Sequence, residues 1–213
     1  MTKKSNQWSA ARKHLGEADP IMRKIATAVG PCTLKPNRDH FSMLCKSIYS
    51  QQISTVVAAV LFGRFKERFP RKRPTPDHAL KLLNHSDPNH LQGCGLSRQK
   101  RKYLIDLSEH FLSGKIPSRR LSRMSDEEVI ESLTAVNGIG RWTAEMFLIF
   151  VLNREDVLPV DDLGLQKAVK SAYRLKHLPK KAELTKMAEP WRPYRSIATW
   201  YLWRAADAGD GGW

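Results

Sequence analysis

Two adjacent carboxylates, Asp161 and Asp162, stand after a proline and directly before a helical run in LPVDDLGLQKAV. A carboxylate in that place has two readings. It caps the orphan amides of a helix start, or it holds negative charge where a cationic transition state needs it. Upstream, LTAVNGIGRWTA sets Gly138 and Gly140 between two helical patterns. Glycines in such a turn permit positive φ and expose the amides of the loop and of the next helix start, where an anion fits. Read only as a helical corner, the same glycines need no ligand.

The rest of the chain narrows the choice of anion. Lys and Arg total 36 against 21 acids, a formal charge of +15 over 213 residues. An excess of one sign this large favours a polyanionic partner, nucleic acid foremost, with binding that salt weakens. The alternative is a generally basic, solvated surface. Three cysteines, Cys32, Cys45 and Cys94, are too few and too widely spaced for a disulfide framework or a four-thiolate cluster, and they suit a reduced compartment. No apolar run reaches the roughly 18 residues of a membrane span. The N-terminal MTKKSNQWSAARKHL lacks a signal peptide's apolar core, so export is not expected.

The elements that must position these groups read as helices throughout. Asp19 to Val29 has a proline at a helix start and apolar residues at helical spacing. Phe41 to Tyr49 and Val56 to Phe65 are two further helical runs, interrupted by the polar SQQIS; that insert is a tight corner or a ligand-touching tip. Residues 70–78 are Pro-rich and basic and predict a loop. In GLSRQKRKYL, cations from Arg98 to Lys102 follow Gly95 and Ser97, which predicts either a phosphate site around Ser97 and Lys100 or a solvated helix start. SDEEVIESLTAV opens on a capping box at Ser125 and Glu128. RWTAEMFLIFVL is apolar enough for a buried helix, and two more are expected near Leu163 to Arg174 and Tyr194 to Ala206. No stretch alternates as a strand would, so the chain is predicted to be all-α. Residues 1–18 are expected to be a flexible basic arm or a short helix.

Five segments in order, SQQIS, GLSRQKRKYL, NGIGRWTAEMF, LPVDDLGLQKAV and PWRPYRSIATWYLW, resemble the HhH-GPD superfamily of DNA glycosylases, and within it the alkylation-repair 3-methyladenine DNA glycosylase II (AlkA) group. The likeness covers about residues 39–206. It implies one glycosylase domain over residues 1–213, in a compact form without an N-terminal β-rich domain. The fold implied is two helical lobes, the first taking in both chain ends, with a helix-hairpin-helix near 125–152 and the active site in the cleft between the lobes. The implied partner is double-stranded DNA carrying damaged bases, bound by a monomer in the cytoplasm, associated with the nucleoid, or in the nucleus.

The resemblance also assigns roles. Asp162 is the catalytic carboxylate, with Asp161 its rival and more at home as an N-cap. Gln52, with Gln51 beside it, is the wedge that fills the gap left by a flipped nucleotide, unless both glutamines merely cap helix ends. Trp142, Trp200, Tyr49, Met146 and Leu163 line the base pocket; for the tryptophans the competing role is core packing. Gly138, Ile139, Gly140, Arg141 and Thr143, with Ser97 and Lys100, hold DNA phosphates. The carbonyls of Thr134, Val136 and Ile139 are implied ligands of a monovalent Na+ or K+. No other cofactor is implied, and no iron–sulfur cluster. Trp142 stands where strand-cutting relatives carry a nucleophilic lysine, so water is the expected nucleophile, without lyase activity. Met146, Leu163 and Gly164 replace bulkier or aromatic residues of the group, which predicts a roomier pocket. The expected reaction is excision of alkylated purines of the 3-methyladenine and 7-methylguanine type. The alternatives are a glycosylase for deaminated, oxidised or mismatched bases and a non-catalytic binding or damage-sensing module.

Overall fold

A computed structural model describes residues 8–85 and 91–210. Among them the chain is all-α and divides into two compact units, one of residues 1–35 and 153–213, the other of residues 36–152. The first unit thus takes described residues from both the N-terminal and the C-terminal parts of the chain.

That unit holds α1 (Ser9–Ala18), α2 (Pro20–Val29), α9 (Leu163–Ala172), α10 (Lys181–Met187) and α11 (Arg195–Asp210). The expected arm is thus structured over much of its length, while residues 1–7 lie outside the described part. Trp8 and Leu15 explain why: both are buried, and the Trp8 indole donates to the Leu34 carbonyl at 3.0 Å. Asp19 ends α1 and starts α2. Its Oδ1 accepts from the amides of Ile21 (2.8 Å) and Met22 (3.2 Å), while Oδ2 accepts from the Tyr173 hydroxyl and from the Trp191 indole at 3.1 Å. One carboxylate therefore fixes a helix start to two distant parts of the chain. Leu165, Val169, Trp191, Ile197 and Tyr201 complete the core.

The loop before α9 is pinned to the start of α11. The Arg195 guanidinium donates to Asp156 Oδ1 at 2.7 Å, the Val157 amide donates to Ser196 Oγ at 2.9 Å, and the Ser196 amide donates to the Glu155 carbonyl at 3.0 Å. The Gln166 side chain reaches back to the Val160 carbonyl at 2.9 Å. The chain therefore arrives at Asp161 and Asp162 with little freedom.

The second unit holds α3 (His40–Ser50), α4 (Thr55–Lys66), α5 (Pro76–Leu83), α6 (Arg98–Leu112), α7 (Asp126–Thr134) and α8 (Arg141–Phe150). Helix starts carry side-chain caps at Asp39, Ser54, Ser97 and Ser125, the last in the full capping box read from the sequence. Phe62, Phe65 and Phe69 stack in succession, with Tyr49 tilted against the first two. The segment expected as a loop over 70–78 is a short 3-10 turn at Pro70–Lys72, and α5 then begins at Pro76, a proline at a first helical position. Helix α10 was not anticipated. Its seven residues bury Leu184 alone, too little apolar periodicity to register.

Candidate functional site

Asp162 is the N-cap of α9 and Asp161 is not. Asp162 is 7 % exposed, and its Oδ1 accepts from the Leu165 amide at 2.5 Å and from the Trp203 indole at 3.0 Å. Asp161 points to solvent and pairs with Lys181, Nζ to Oδ1 2.6 Å. The N-cap role expected of the first acid thus belongs to the second, together with the buried position. Capping and a catalytic charge are compatible in one carboxylate, because the helix dipole favours negative charge at this end.

The aromatic partner of Asp162 is Trp203, three residues beyond Trp200. Trp200 is buried, edge-on to Tyr201 with centroids 5.0 Å apart. In TWYLW both tryptophans sit at helical spacing, and only the phase of α11 against the pinned loop selects the second. Leu163 follows Asp162 and is 51 % exposed.

In the second unit the hairpin joins α7 to α8. Only Gly138 takes positive φ, +86°, and a Cβ there would overlap the Tyr103 ring. Gly140 is extended (φ −92°, ψ 172°) and forms the N-cap of α8, a helix start with no side-chain cap. Its glycine serves by leaving the first-turn amides uncovered. The hairpin is anchored from below: Asp106 Oδ2 accepts from both the backbone and side-chain N–H of Asn137, each at 2.7 Å. Ile139 is buried and its amide donates to the Val136 carbonyl at 3.1 Å, so it stabilises the turn instead of meeting a phosphate. Arg141 is likewise occupied. Its guanidinium donates to Glu127 Oε1 at 2.6 Å and Glu145 Oε1 at 3.2 Å, and the Glu127 carboxylate raises its pKa further. It ties α8 to α7.

The implied cation ligands, the carbonyls of Thr134, Val136 and Ile139, are neutral hard oxygens, the donor chemistry that Na+ or K+ takes. Val136 oxygen also accepts the Ile139 amide, leaving its second lone pair. The donor set is compatible with a monovalent ion.

Along α8, Trp142, Met146 and Phe150 share a face with Thr143. With Ser47 and Gln51 from the neighbouring segment they line a largely apolar groove of about 500 Å³. Trp142 stands at its rim, 49 % exposed. Tyr49, expected to face the base site, does not. It is fully buried on the opposite side of α3 among phenylalanines, and burial pushes its phenol well above the ordinary range.

The SQQIS corner is a short loop between α3 and α4. Gln51 Nε2 donates to the Gly138 carbonyl at 2.7 Å, while Gln52 is exposed and adopts φ +60°. Ser97 caps α6, its Oγ accepting from the Lys100 amide at 3.1 Å. The Lys100 ammonium, expected on a phosphate, instead donates to the Tyr49 carbonyl at 2.7 Å, and desolvation lowers its pKa. Arg98 and Lys102 flank it on the exposed side and, with Asn137 of the hairpin, line a second concavity of about 490 Å³. Alternation along α6 gives no sign from sequence of which cation turns inward.

Residues 45–193 match the family described as HhH-GPD superfamily base excision DNA repair protein. The alkylbase DNA glycosidase-like protein mag2 of Schizosaccharomyces pombe is 34% identical over 206 residues, covering 94% of this chain and 95% of that one. DNA-3-methyladenine glycosylase 1 of the same yeast is 36% identical, covering 94% and 88%. Among solved structures, Schizosaccharomyces pombe 3-methyladenine DNA glycosylase Mag1 in complex with abasic DNA superposes with a TM-score of 0.79 at 36% identity, covering 93% and 97%. A DNA-3-methyladenine glycosidase from Bacillus halodurans gives 0.80 at 34%, covering 97% and 94%. With more than two thirds of its length inside the family match and full-length relatives above 30% identity, the chain belongs to the HhH-GPD superfamily of base excision DNA repair proteins.

Proposed function

We propose that this chain is a monofunctional DNA glycosylase that binds damaged duplex DNA as a monomer, flips out an alkylated purine and hydrolyses its glycosylic bond. The observation that carries the reading is Asp162: a buried carboxylate at a helix start, its Oδ1 held by a backbone amide and by the Trp203 indole. Such a group is oriented before substrate arrives and costs no reorganisation when positive charge develops on the sugar. A methylated purine is already cationic and departs with the bonding electron pair. Water then adds at C1′ and releases a proton, so the protein supplies charge and position and no covalent nucleophile. Trp142 supports the absence of a Schiff base, since its position has no amine to attack the sugar. Its exposed indole on the apolar groove offers a π face to a cationic base.

The uncapped start of α8 behind Gly140 is the phosphate grip. A monovalent ion at the carbonyls of Thr134, Val136 and Ile139 would add positive charge beneath the same phosphate. Arg98 and Lys102 take the additional phosphate role that the sequence had given to Lys100. Gln52 is the wedge that occupies the vacated stack.

The test is a panel of duplexes carrying methylated, deaminated and oxidised bases, with free base and strand scission measured together. Release of 3-methyladenine and 7-methylguanine without nicking is expected. Release of deaminated or oxidised bases alone would move the substrate class, nicking would overturn the monofunctional reading, and tight abasic-DNA binding without release would make the protein a damage sensor.

A further inference from the structure

The chain leading into Gln52, from the last turn of α3 to Gln51, is tied at two points to elements remote in sequence. Gln51 Nε2 donates to the Gly138 carbonyl at 2.7 Å across 87 residues of chain, and Lys100 Nζ donates to the Tyr49 carbonyl in the last turn of α3 at 2.7 Å. Directly after these ties in sequence, Gln52 adopts φ +60°, a left-handed conformation that a residue with a Cβ rarely keeps unless its surroundings impose it. Gly138 is the one residue of its turn with positive φ, and its carbonyl is aimed by that conformation. A carbonyl acceptor also fixes which end of the Gln51 amide faces it, since only the NH2 can donate.

We infer that Gln51 is a positioning residue: its side-chain amide couples the backbone-gripping hairpin to the loop that presents Gln52, so that docking of the hairpin and insertion of Gln52 occur as one event. The inference rests on the reading of Gln52 as the wedge. An untied loop would have to be ordered during insertion, at an entropic cost paid on binding. A tied loop arrives with Gln52 already projecting.

The measurement is the ratio of affinities for a duplex with a stable abasic analogue and for the same duplex undamaged. An abasic site has no base, so any contact of Gln51 with a base in the groove drops out of the ratio. Gln51→Ala is expected to lower the ratio roughly two- to tenfold, the worth of one neutral hydrogen bond, with undamaged-duplex affinity unchanged. Gln52→Ala should lower it as well, and the double variant should lose no more than the larger single loss, the non-additivity of residues acting as a unit. Gln51→Glu supplies the specific signature. Its carboxylate repels the Gly138 carbonyl near neutral pH, whereas the protonated acid donates to it. Relative to wild type, the ratio should recover as pH falls toward the ordinary carboxyl range near about 4.3. An unchanged ratio in Gln51→Ala beside a reduced one in Gln52→Ala would overturn the coupling alone. No effect of Gln52→Ala would overturn the wedge reading and the coupling with it. Additive losses, or a Gln51→Glu ratio indifferent to pH, would show that Gln51 acts only as packing.

Discussion

Replacing Asp162 by Asn separates charge from structure at the centre of the proposed chemistry. Asn and Asp are about equally good N-caps, and the Asn oxygen can still accept from the Leu165 amide and the Trp203 indole, which now hold Asp162 Oδ1 at 2.5 and 3.0 Å. Stability should therefore fall by no more than about 2 kcal/mol, about 1 kcal/mol for each of the two hydrogen bonds that turns from charge-assisted to neutral. The rate loses the interaction of a full charge with the developing sugar cation. At a separation of about 4 Å and an effective dielectric of about 20, that interaction is worth about 4 kcal/mol. Removal of one preorganised electrostatic group elsewhere costs about 100- to 1,000-fold, so single-turnover release of methylated base should drop by at least about 100-fold. Binding to abasic DNA should persist. Asp161→Asn is the paired control: its ion pair with Lys181 is largely exposed, worth about 0–1 kcal/mol, and base release should not change. Wild-type release from Asp162→Asn, or a comparable collapse in Asp161→Asn, would refute the assignment.

Three further outcomes follow from particular contacts. Gly138→Ala forces a side chain into the left-handed region and against the Tyr103 ring; unfolding should become easier by about 2–5 kcal/mol, on the order of 10 °C in Tm, read by calorimetry. Arg98→Gln and Lys102→Gln, exposed beside the hairpin, should each reduce the salt slope of duplex binding by about 1, and an unchanged slope would return them to plain surface. Tyr49→Phe removes a buried hydroxyl that has no hydrogen-bond partner, so stability should hold or rise by up to about 1 kcal/mol with base release intact; lost release would place the phenol on the substrate after all.

The sequence carried the helical architecture because its apolar residues repeat at helical intervals and its capping residues stand at the right ends. The turn between α7 and α8 was legible from its glycines, yet not which glycine bears the strain. Gly138 does, because Tyr103, far upstream in the chain, fills the space a side chain would need. The same limit recurs at every site residue whose partner is remote. Asp161 and Asp162 differ in burial through Lys181 and Trp203. Lys100 and its neighbours differ through the end of α3. Trp200 and Trp203 lie less than one helical turn apart, and only the packing of α11 decides which one reaches a carboxylate. Charge counting and periodicity describe an element's faces; they do not say which face a distant element will take.

Helix α8 shows why the hairpin and the groove must be considered as one body. In ten residues it presents three functions, sorted by the helical period. Its uncapped start faces outward behind Gly140. Arg141 and Glu145, four apart, lock it to α7 through Glu127. Trp142, Met146 and Phe150, again four apart, line the groove, while Ala144 and Leu148 are buried in the core. This short helix is held on its core face by Ala144 and Leu148 and at its first turn by Arg141. On the proposed function, the distance from a phosphate at its start to a base on Trp142 would be set by the helix itself. The protein would then measure from the DNA backbone to the groove before any lesion-specific contact is made, and loosening the start of α8 should lower discrimination between lesions.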